Sequence, residues 1–594
     1  MRRSALNVVL AVGFLALSVA VLLARATPAT GYEASIYAAT PTGTWVALAV
    51  AFAVAIGVTL VARGRYQALG IVLGSTAVTT VVALPVIRNY RYMGMGDALT
   101  HLGWTKDFLS GAMLPHELLY PGMHSLATLL HLTGGVSPDR GLLLAVVFVF
   151  VPFVVFVPLI VRDVTGNATA VGFAAIVSWF VLPVNKVATH MGIHTNSNAL
   201  FFVPVVVFAV VAYTRRRAAL EALPVGLSPY TVLVIVGGAG LLLIHPQQMV
   251  NVVIVLAVIS LVQYAARRRL DDHPILEHPT TYAHTFVLGT LFVVWVASNE
   301  RFRNAFLGLI YGLFARDIGA GGEVDQRGSS LTEIGGSLTE LFAKMFLVSA
   351  VVGLVVGLFV LFTWLGWTSL DRETKAFVTY FGVALFPLTA MFVVYFVGTP
   401  TMAFRQVGFV YVLITILAGV ALAHLFGWLS GPITTPGANA LAAVFLGACL
   451  VLGLLTIFTS PFIYSPTQHV TDQKMSGYES AFDRTDGRAY AGFGFGVERY
   501  GDGINGVEGA ENVTYAGEGE GVVDVDEFEN ESYGSAYDGE YYFVATEYDV
   551  EREIEVYREL HHSESALRGI DTYPGANKVI SNDEFRMYSV ESAA

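Results

Sequence analysis

The sequence predicts an all-α polytopic membrane domain of about thirteen transmembrane helices, followed by a small C-terminal extracytoplasmic α/β domain. Three observations predict it. The 594 residues are 55% hydrophobic and only 13% charged, with a mean hydropathy of +0.61, too little polar surface for a soluble fold. Apolar runs long enough to cross a bilayer recur from Ala5 to residue 459. The charge then changes character. Residues 460–594 hold 28 acidic and 9 basic residues, a net of −19, whereas the first 459 hold 18 and 25, a net of +7.

The spans fall near residues 5–24, 44–62, 68–87, 142–161, 168–184, 197–213, 228–244, 248–264, 284–298, 345–365, 377–397, 406–428 and 438–459. The first follows Arg2 and Arg3. It reads as a retained helix rather than a signal peptide, because Ala24-Arg25-Ala26 is a poor cleavage site and the run is long enough to span. Orientation follows the excess of bases on cytoplasmic connections. Arg2/Arg3, Arg63/Arg65, Arg162, Arg215–Arg217, Arg267–Arg269 and Arg372/Lys375 lie on one set of loops, at roughly twice the density of the other set. The N-terminus is therefore placed in the cytoplasm. The odd number of spans puts the tail outside, which divides the chain into a membrane domain, 1–459, and an acidic extracytoplasmic domain, 460–594.

The tail has the marks of a folded unit. Residues 541–545 have strand composition, 551–560 space Ile554, Tyr557 and Leu560 like a helix face, and 578–590 read strand, Asn582-Asp583 turn, strand. The acidic surface is Lys-poor, with 6 lysines among 34 basic residues, a composition similar to that of halophilic archaeal proteins. It disfavours nucleic acid as a partner, since like charges repel. Cys449 is the single cysteine, so the chain can form no disulfide of its own and no thiol metal site.

Polar residues gather in the outward loops: 88–141, Lys186–Asn196, the His245-Pro246-Gln247 turn, 299–344 and Gly398–Arg405. The first is too long for a connector. Counting from Asp97, which follows Gly94 and Gly96, His101, Trp104 and Phe108 fall on one face of a helix. Asp97 sits near its N-terminus, where the helix dipole favours a carboxylate. A second helix, lying at the interface, follows Pro121-Gly122 and carries His124. Asp107 and Glu117 are expected on the solvated surface.

This layout resembles the GT-C class of membrane glycosyltransferases. The segments GYEASIYAATP (31–41), GDALTHLGW (96–104), YPGMH (120–124), IHPQQM (244–249) and NKVISNDEFRMYSV (577–590) are similar to haloarchaeal relatives of dolichyl-phosphate-mannose mannosyltransferases. The resemblance implies a polyprenyl (dolichyl) phosphate sugar as donor and an extracytoplasmic glycan, protein or lipid as acceptor. The signature WWDYG of oligosaccharyltransferases is absent, which disfavours transfer of a whole glycan to asparagine. Asp97 also stands alone, without an adjacent acidic residue.

The residue types suit that chemistry. A carboxylate at an apolar boundary can deprotonate an acceptor hydroxyl, and a cation can stabilise the leaving phosphate. The candidates are Asp97 as base with His101 as its partner, and Arg405 at the phosphate. Lys186, Arg301, Arg303 and Arg316 are further cations, and His245, Gln247 and His124 could contact phosphate or sugar. These residues single out no certain cofactor, and His190 and His194 could join Asp97 around a divalent metal.

Other signals are weaker. Asp524-Val525-Asp526 lies in an acidic run and reads as solvated surface. GFGFGVERYG (492–501) lacks the spacing of a nucleotide loop. Asn512 and Asn530 open outward glycosylation sequons, and Asn167 opens one on the cytoplasmic side. Two rivals predict different features. A transporter or flippase of lipid-linked sugars requires charges at mid-depth. A non-catalytic scaffold with a surface-exposed binding domain requires no outward cavity.

Overall fold

The structure, a computed structural model, describes residues 3–215, 228–299, 303–304, 335–398, 400–483, 486–493, 496–510, 513–517, 523 and 525–592. Among these, nine helices are long and apolar enough to cross a membrane: Arg3–Ala26, Thr42–Val61, Pro138–Thr165, Thr195–Arg215, Pro246–Arg269, Leu338–Trp364, Arg372–Phe396, Ala403–Ile433 and Thr435–Leu454. Four further helices occupy the other predicted spans: Arg65–Val82, Ala168–Ser178, Pro229–Ile244 and Tyr282–Ala297. The chain is a multi-pass helical membrane protein with a small sheet domain at its C-terminal end. Thr195–Arg215 and Ala403–Ile433 lie at the bundle centre, each with 78% of its apolar window buried, against 28% for the peripheral first helix.

One span is shorter than its apolar run. The helix predicted over 168–184 ends at Ser178. Val181 and Leu182 then take φ of +58° and +55°, outside the helical region. The chain beyond forms an irregular segment that reaches the functional face.

Both helices expected within the first large loop are present, Asp97–Ser110 and Gly122–Gly134. Gly94 and Gly96 precede the first with φ of +118° and +61°, a turn that side chains resist. Strand β1 (Tyr92–Met93) pairs antiparallel with β2 (His469–Val470), so this loop and the tail share one side of the bundle.

The tail carries a four-stranded sheet in the order β3 (Ala489–Gly492), β4 (Tyr541–Thr546), β6 (Phe585–Val590), β5 (Ala576–Ser581). β3 runs parallel to β4; the other pairs are antiparallel. Side chains on β4 alternate as a strand requires. Tyr542 and Val544 join the core that continues into the membrane helices, while Tyr541, Phe543 and Ala545 join a separate core with Phe528, Tyr533 and Leu567. Asn582 makes the expected turn, its Oδ1 accepting from the amides of Glu584 and Phe585 at 2.9 and 2.8 Å.

The helix expected over 551–560 is broken. A short α turn, Glu547–Glu551, passes into a π turn, Arg552–Val556. Buried Glu553 accepts from Arg552 at 3.0 Å and from the His561 amide at 3.3 Å, which folds the segment back on itself.

Candidate functional site

Asp97 opens its helix with a carboxylate that is 73% exposed and lies 3.6 Å from Arg499 Nη2. Arg499 belongs to the tail, on the helix Val497–Asn505. Its Nη1 donates to Thr100 Oγ1 at 3.0 Å, and the Thr100 hydroxyl donates to Asp502 Oδ2 at 2.7 Å. Lys106 Nζ donates to the Ile504 carbonyl at 2.9 Å. Asp107 accepts from the amides of Val507 and Glu508 at 2.9 and 3.4 Å.

Glycines permit this approach. A Cβ on Gly103 would stand 2.5 Å from the Asp502 carbonyl oxygen. One on Gly506, where φ is +84°, would stand 2.1 Å from Asp107 Oδ1. The tail thus grips the helix that carries Asp97. Asp107 is buried, not solvated as its sequence context suggested, because amides from the tail satisfy it; burial raises its carboxyl above the usual range. Glu117 is exposed, as expected.

A cleft of about 400 Å³ lies beside Asp97, lined also by Gly96, Lys186, His190, His194 and Arg499. Lys186 holds φ at +63°, and its amide donates to the Thr189 carbonyl at 2.8 Å. The segment is pinned by Asn185, whose Nδ2 donates to the carbonyls of Phe180 and Gly453 at 3.2 and 3.0 Å. It presses on β1 at Gly192, where a Cβ would meet the Met93 carbonyl oxygen at 2.7 Å. Burial alone lowers the Lys186 ammonium to about 8.

The His190 and His194 rings are 4.7 Å apart, and His194 Nδ1 is 2.8 Å from Ser197 Oγ. Burial first, and then the nearby charges of Lys186 and Arg405, hold both below the usual range, His194 at about 3. Both are neutral near pH 7, so each can donate and accept one hydrogen bond.

His101, His124, His245, Gln247 and Arg405 are not among the residues that line the cleft. His101 is buried, its Nδ1 2.9 Å from His124 Nε2, with Trp104 edge-on at 5.3 Å. Burial lowers His101 to about 4, although the Asp97 charge pulls the other way, and it lowers His124 as well. Tyr120 meets His101 edge-on at 6.0 Å and stacks on His245 at 5.4 Å.

His245 caps the helix Pro246–Arg269 by accepting the Gln247 amide at 3.3 Å. Asn196 Nδ2 donates to Gln247 Oε1 at 2.8 Å and lies 3.3 Å from His245 Nδ1. The chain of amides continues from Asn196 through Gln248 and Asn251 to Gln406, each step 3.1 Å. It ties together the starts of three central helices. Arg405, next to Gln406, is half-buried; burial lowers both His194 and His245, and the Arg405 charge adds to it.

The structure therefore sets Asp97, Lys186, His190 and His194 on one cleft. It adds Arg499, which sequence reasoning passed over within GFGFGVERYG; an arginine between Glu498 and Tyr500 in a glycine-rich stretch was the only signal there. Arg301 and Arg316 lie outside the described residues, as do Asn512 and Asp524. Asn167 caps the helix Ala168–Ser178, accepting from the Thr169 amide at 2.8 Å. Among the described residues, no group of three or more His, Cys, Asp or Glu is arranged to hold a metal ion, and no third ligand joins His190 and His194.

No known family profile matches the chain, and no curated protein matches it in sequence. Among solved structures it is similar to ArnT from Cupriavidus metallidurans bound to undecaprenyl phosphate, at 12% identity and a TM-score of 0.48, over 89% of this chain and 98% of that one. It is also similar to the Archaeoglobus fulgidus oligosaccharyltransferase tethered with an acceptor peptide containing the NVT sequon, at 12% identity and a TM-score of 0.48, over 89% and 74% of the two chains. The same enzyme in complex with Zn and sulfate gives 14% identity and a TM-score of 0.47, over 88% and 73%.

Proposed function

We propose that this protein is a GT-C-type membrane glycosyltransferase, which moves a sugar from a polyprenyl (dolichyl) phosphate to an extracytoplasmic glycan, protein or lipid. The observation that carries the reading is the cleft. It opens where the apolar helices end, and its lining includes an exposed carboxylate, Asp97, and a half-buried lysine, Lys186, that no carboxylate among the described residues neutralises. A lipid-tethered donor can present its head at that depth.

In the proposed reaction Asp97 takes the proton of the acceptor hydroxyl as its oxygen attacks the anomeric carbon from the face opposite the phosphate. The bond from that carbon to the phosphate oxygen breaks, and its electron pair leaves with the phosphate. Lys186 stabilises the charge that gathers there. Inversion at the anomeric carbon follows from a single displacement. His101 is a positioning residue behind Asp97. Burial keeps His194 neutral, and the charge of Arg405 adds to that effect.

A transporter would need charged groups at mid-depth. At the helix starts the described core instead holds the uncharged amides of Asn196, Gln248, Asn251 and Gln406.

The test incubates membranes containing the protein with labelled dolichyl-phosphate sugars and follows release of dolichyl phosphate and labelling of acceptors. Donor-dependent transfer is expected. Absence of transfer with every donor tried, by a protein that binds them, would sink the reading. Orientation is tested separately: Glu117→Cys, made with buried Cys449 replaced by Ser, is expected to react with a membrane-impermeant maleimide on intact cells.

A further inference from the structure

The cleft holds more positive than negative charge. Its charged lining is Asp97, Lys186 and Arg499, and its two histidines are neutral. Asp97 and Asp502 both stand near Arg499, whereas Lys186 has no ion pair among the described residues, so the cleft keeps an uncompensated cation and favours an anion. Asp97 does not consume Arg499: at 3.6 Å the pair is longer than a hydrogen bond, and the carboxylate is largely in solvent. Exposed pairs of this kind are weak and exchange readily.

The guanidinium is nevertheless fixed. Nη1 donates to Thr100, Thr100 in turn donates to Asp502, and the carboxylate of Asp502 lies 3.8 Å from Arg499 Nη1. A guanidinium has five N–H donors in a planar fork that matches a phosphate, and among the described residues only Nη1 makes a hydrogen bond here. Lys186 approaches from a different part of the fold, the segment after Ser178, and faces the same cavity.

Resting on the reading above, we propose that Arg499, supplied by the C-terminal domain, binds the phosphate of the lipid-linked donor together with Lys186. The tail is then part of the donor site rather than a roof over it. Its grip on the Asp97 helix, through Lys106, Asp107 and the close approaches at Gly103 and Gly506, sets where the guanidinium stands.

The experiment uses the full-length protein in nanodiscs, with dolichyl phosphate lacking a sugar as the probe. Arg499→Gln is expected to weaken its affinity at least tenfold, to leave the melting temperature within a few degrees, and to leave the acceptor KM within twofold. Arg499→Lys is expected to recover part of the affinity, since it keeps charge but loses the fork. Unchanged affinity in Arg499→Gln overturns the inference, as does a raised acceptor KM with unaltered donor affinity, which would assign Arg499 to the acceptor. A wild-type protein that binds no dolichyl phosphate instead overturns the transferase reading itself. Should Arg499→Gln fail to fold, Arg499→Lys decides: affinity reduced threefold or more supports the inference, and wild-type affinity refutes it.

Discussion

Replacing Asp97 by Asn separates chemistry from structure, because its structural contribution is small. The carboxylate is 73% exposed and its one ion pair, to Arg499, is 3.6 Å long. Losing an exposed pair costs about 0–1 kcal/mol. Losing a negative charge in the first turn of a helix costs about 0.3–1 kcal/mol. Asn matches Asp in size and disturbs no packing. Together these give at most about 2 kcal/mol of stability, a melting shift of a few degrees. Removing a general base instead lowers turnover by about 10²–10⁴. At 1.36 kcal/mol per decade, that is about 3–5 kcal/mol of transition-state stabilisation. The assay is single-turnover transfer from labelled dolichyl-phosphate sugar by purified protein, with thermal melting in parallel. If Asp97 is the base, kcat and kcat/KM fall together, since the lost interaction exists only in the transition state. An Asn variant that melts like wild type and retains more than a tenth of its turnover would remove Asp97 from the mechanism.

Three more outcomes follow from the geometry. Lys186, lowered to about 8, carries its charge below that pH and loses it above, so donor affinity is expected to fall as pH rises through 8; Lys186→Arg should abolish that dependence, as titration of binding against pH would show. Buried His101 and His469 are held at about 4 and about 3, below the ~6.5 of an unfolded chain. On acidification the unfolded state takes up protons that the fold refuses, so stability should fall from pH ~6.5 toward pH ~4, by up to about 1.4 kcal/mol per pH unit for each histidine. Melting curves at stepped pH would show a shallower fall for His101→Gln. Asp107→Ala removes the acceptor of the part-buried amides of Val507 and Glu508, at a cost of about 0.5–1.5 kcal/mol for each hydrogen bond lost. Earlier proteolysis of the tail should accompany the lower melting temperature.

What was legible in the sequence was local. Apolar run length located the membrane helices, Gly94 and Gly96 marked the start of the Asp97 helix, and Asn582 marked the hairpin turn between β5 and β6. What was not legible depends on residues far apart in the chain. Asp107 looks like any polar helix residue until the amides of Val507 and Glu508 arrive about 400 positions later. Arg499 reaches Thr100 across a similar separation. Lys186 and Arg405 give the same signal, a lone cation at the outer end of an apolar segment. Lys186 lines the cleft and Arg405 does not. Single-residue patterns carry no information about that difference. The break at 551–560 has the same origin: its helical spacing is real, but burial of Glu553 against Arg552 overrides it.

The distribution of charge bears on which donors the proposed site would accept. The tail carries a net of −19, yet the cleft beneath it presents the cations Lys186 and Arg499, and Lys186 has no ion pair among the described residues. A soluble anionic donor, such as a nucleotide sugar, would approach through the acidic exterior and be repelled over roughly a Debye length, about 8 Å at physiological salt. A donor anchored in the bilayer avoids that route. Its lipid confines it to the membrane plane, and its phosphate arrives beside the ends of the helices, where the cations are. A cationic pocket under an anionic surface therefore selects for anions delivered by the membrane over anions delivered by solution. The same reasoning separates the two cations. Lys186 is set by the membrane bundle and would meet the phosphate first. Arg499 is set by the tail, so its contribution depends on the tail being seated on the Asp97 helix. Variants that loosen that seat without touching the cleft, Asp107→Ala above all, should therefore weaken donor binding as well as stability, whereas a tail that only shields the site would alter stability and leave donor affinity as it was.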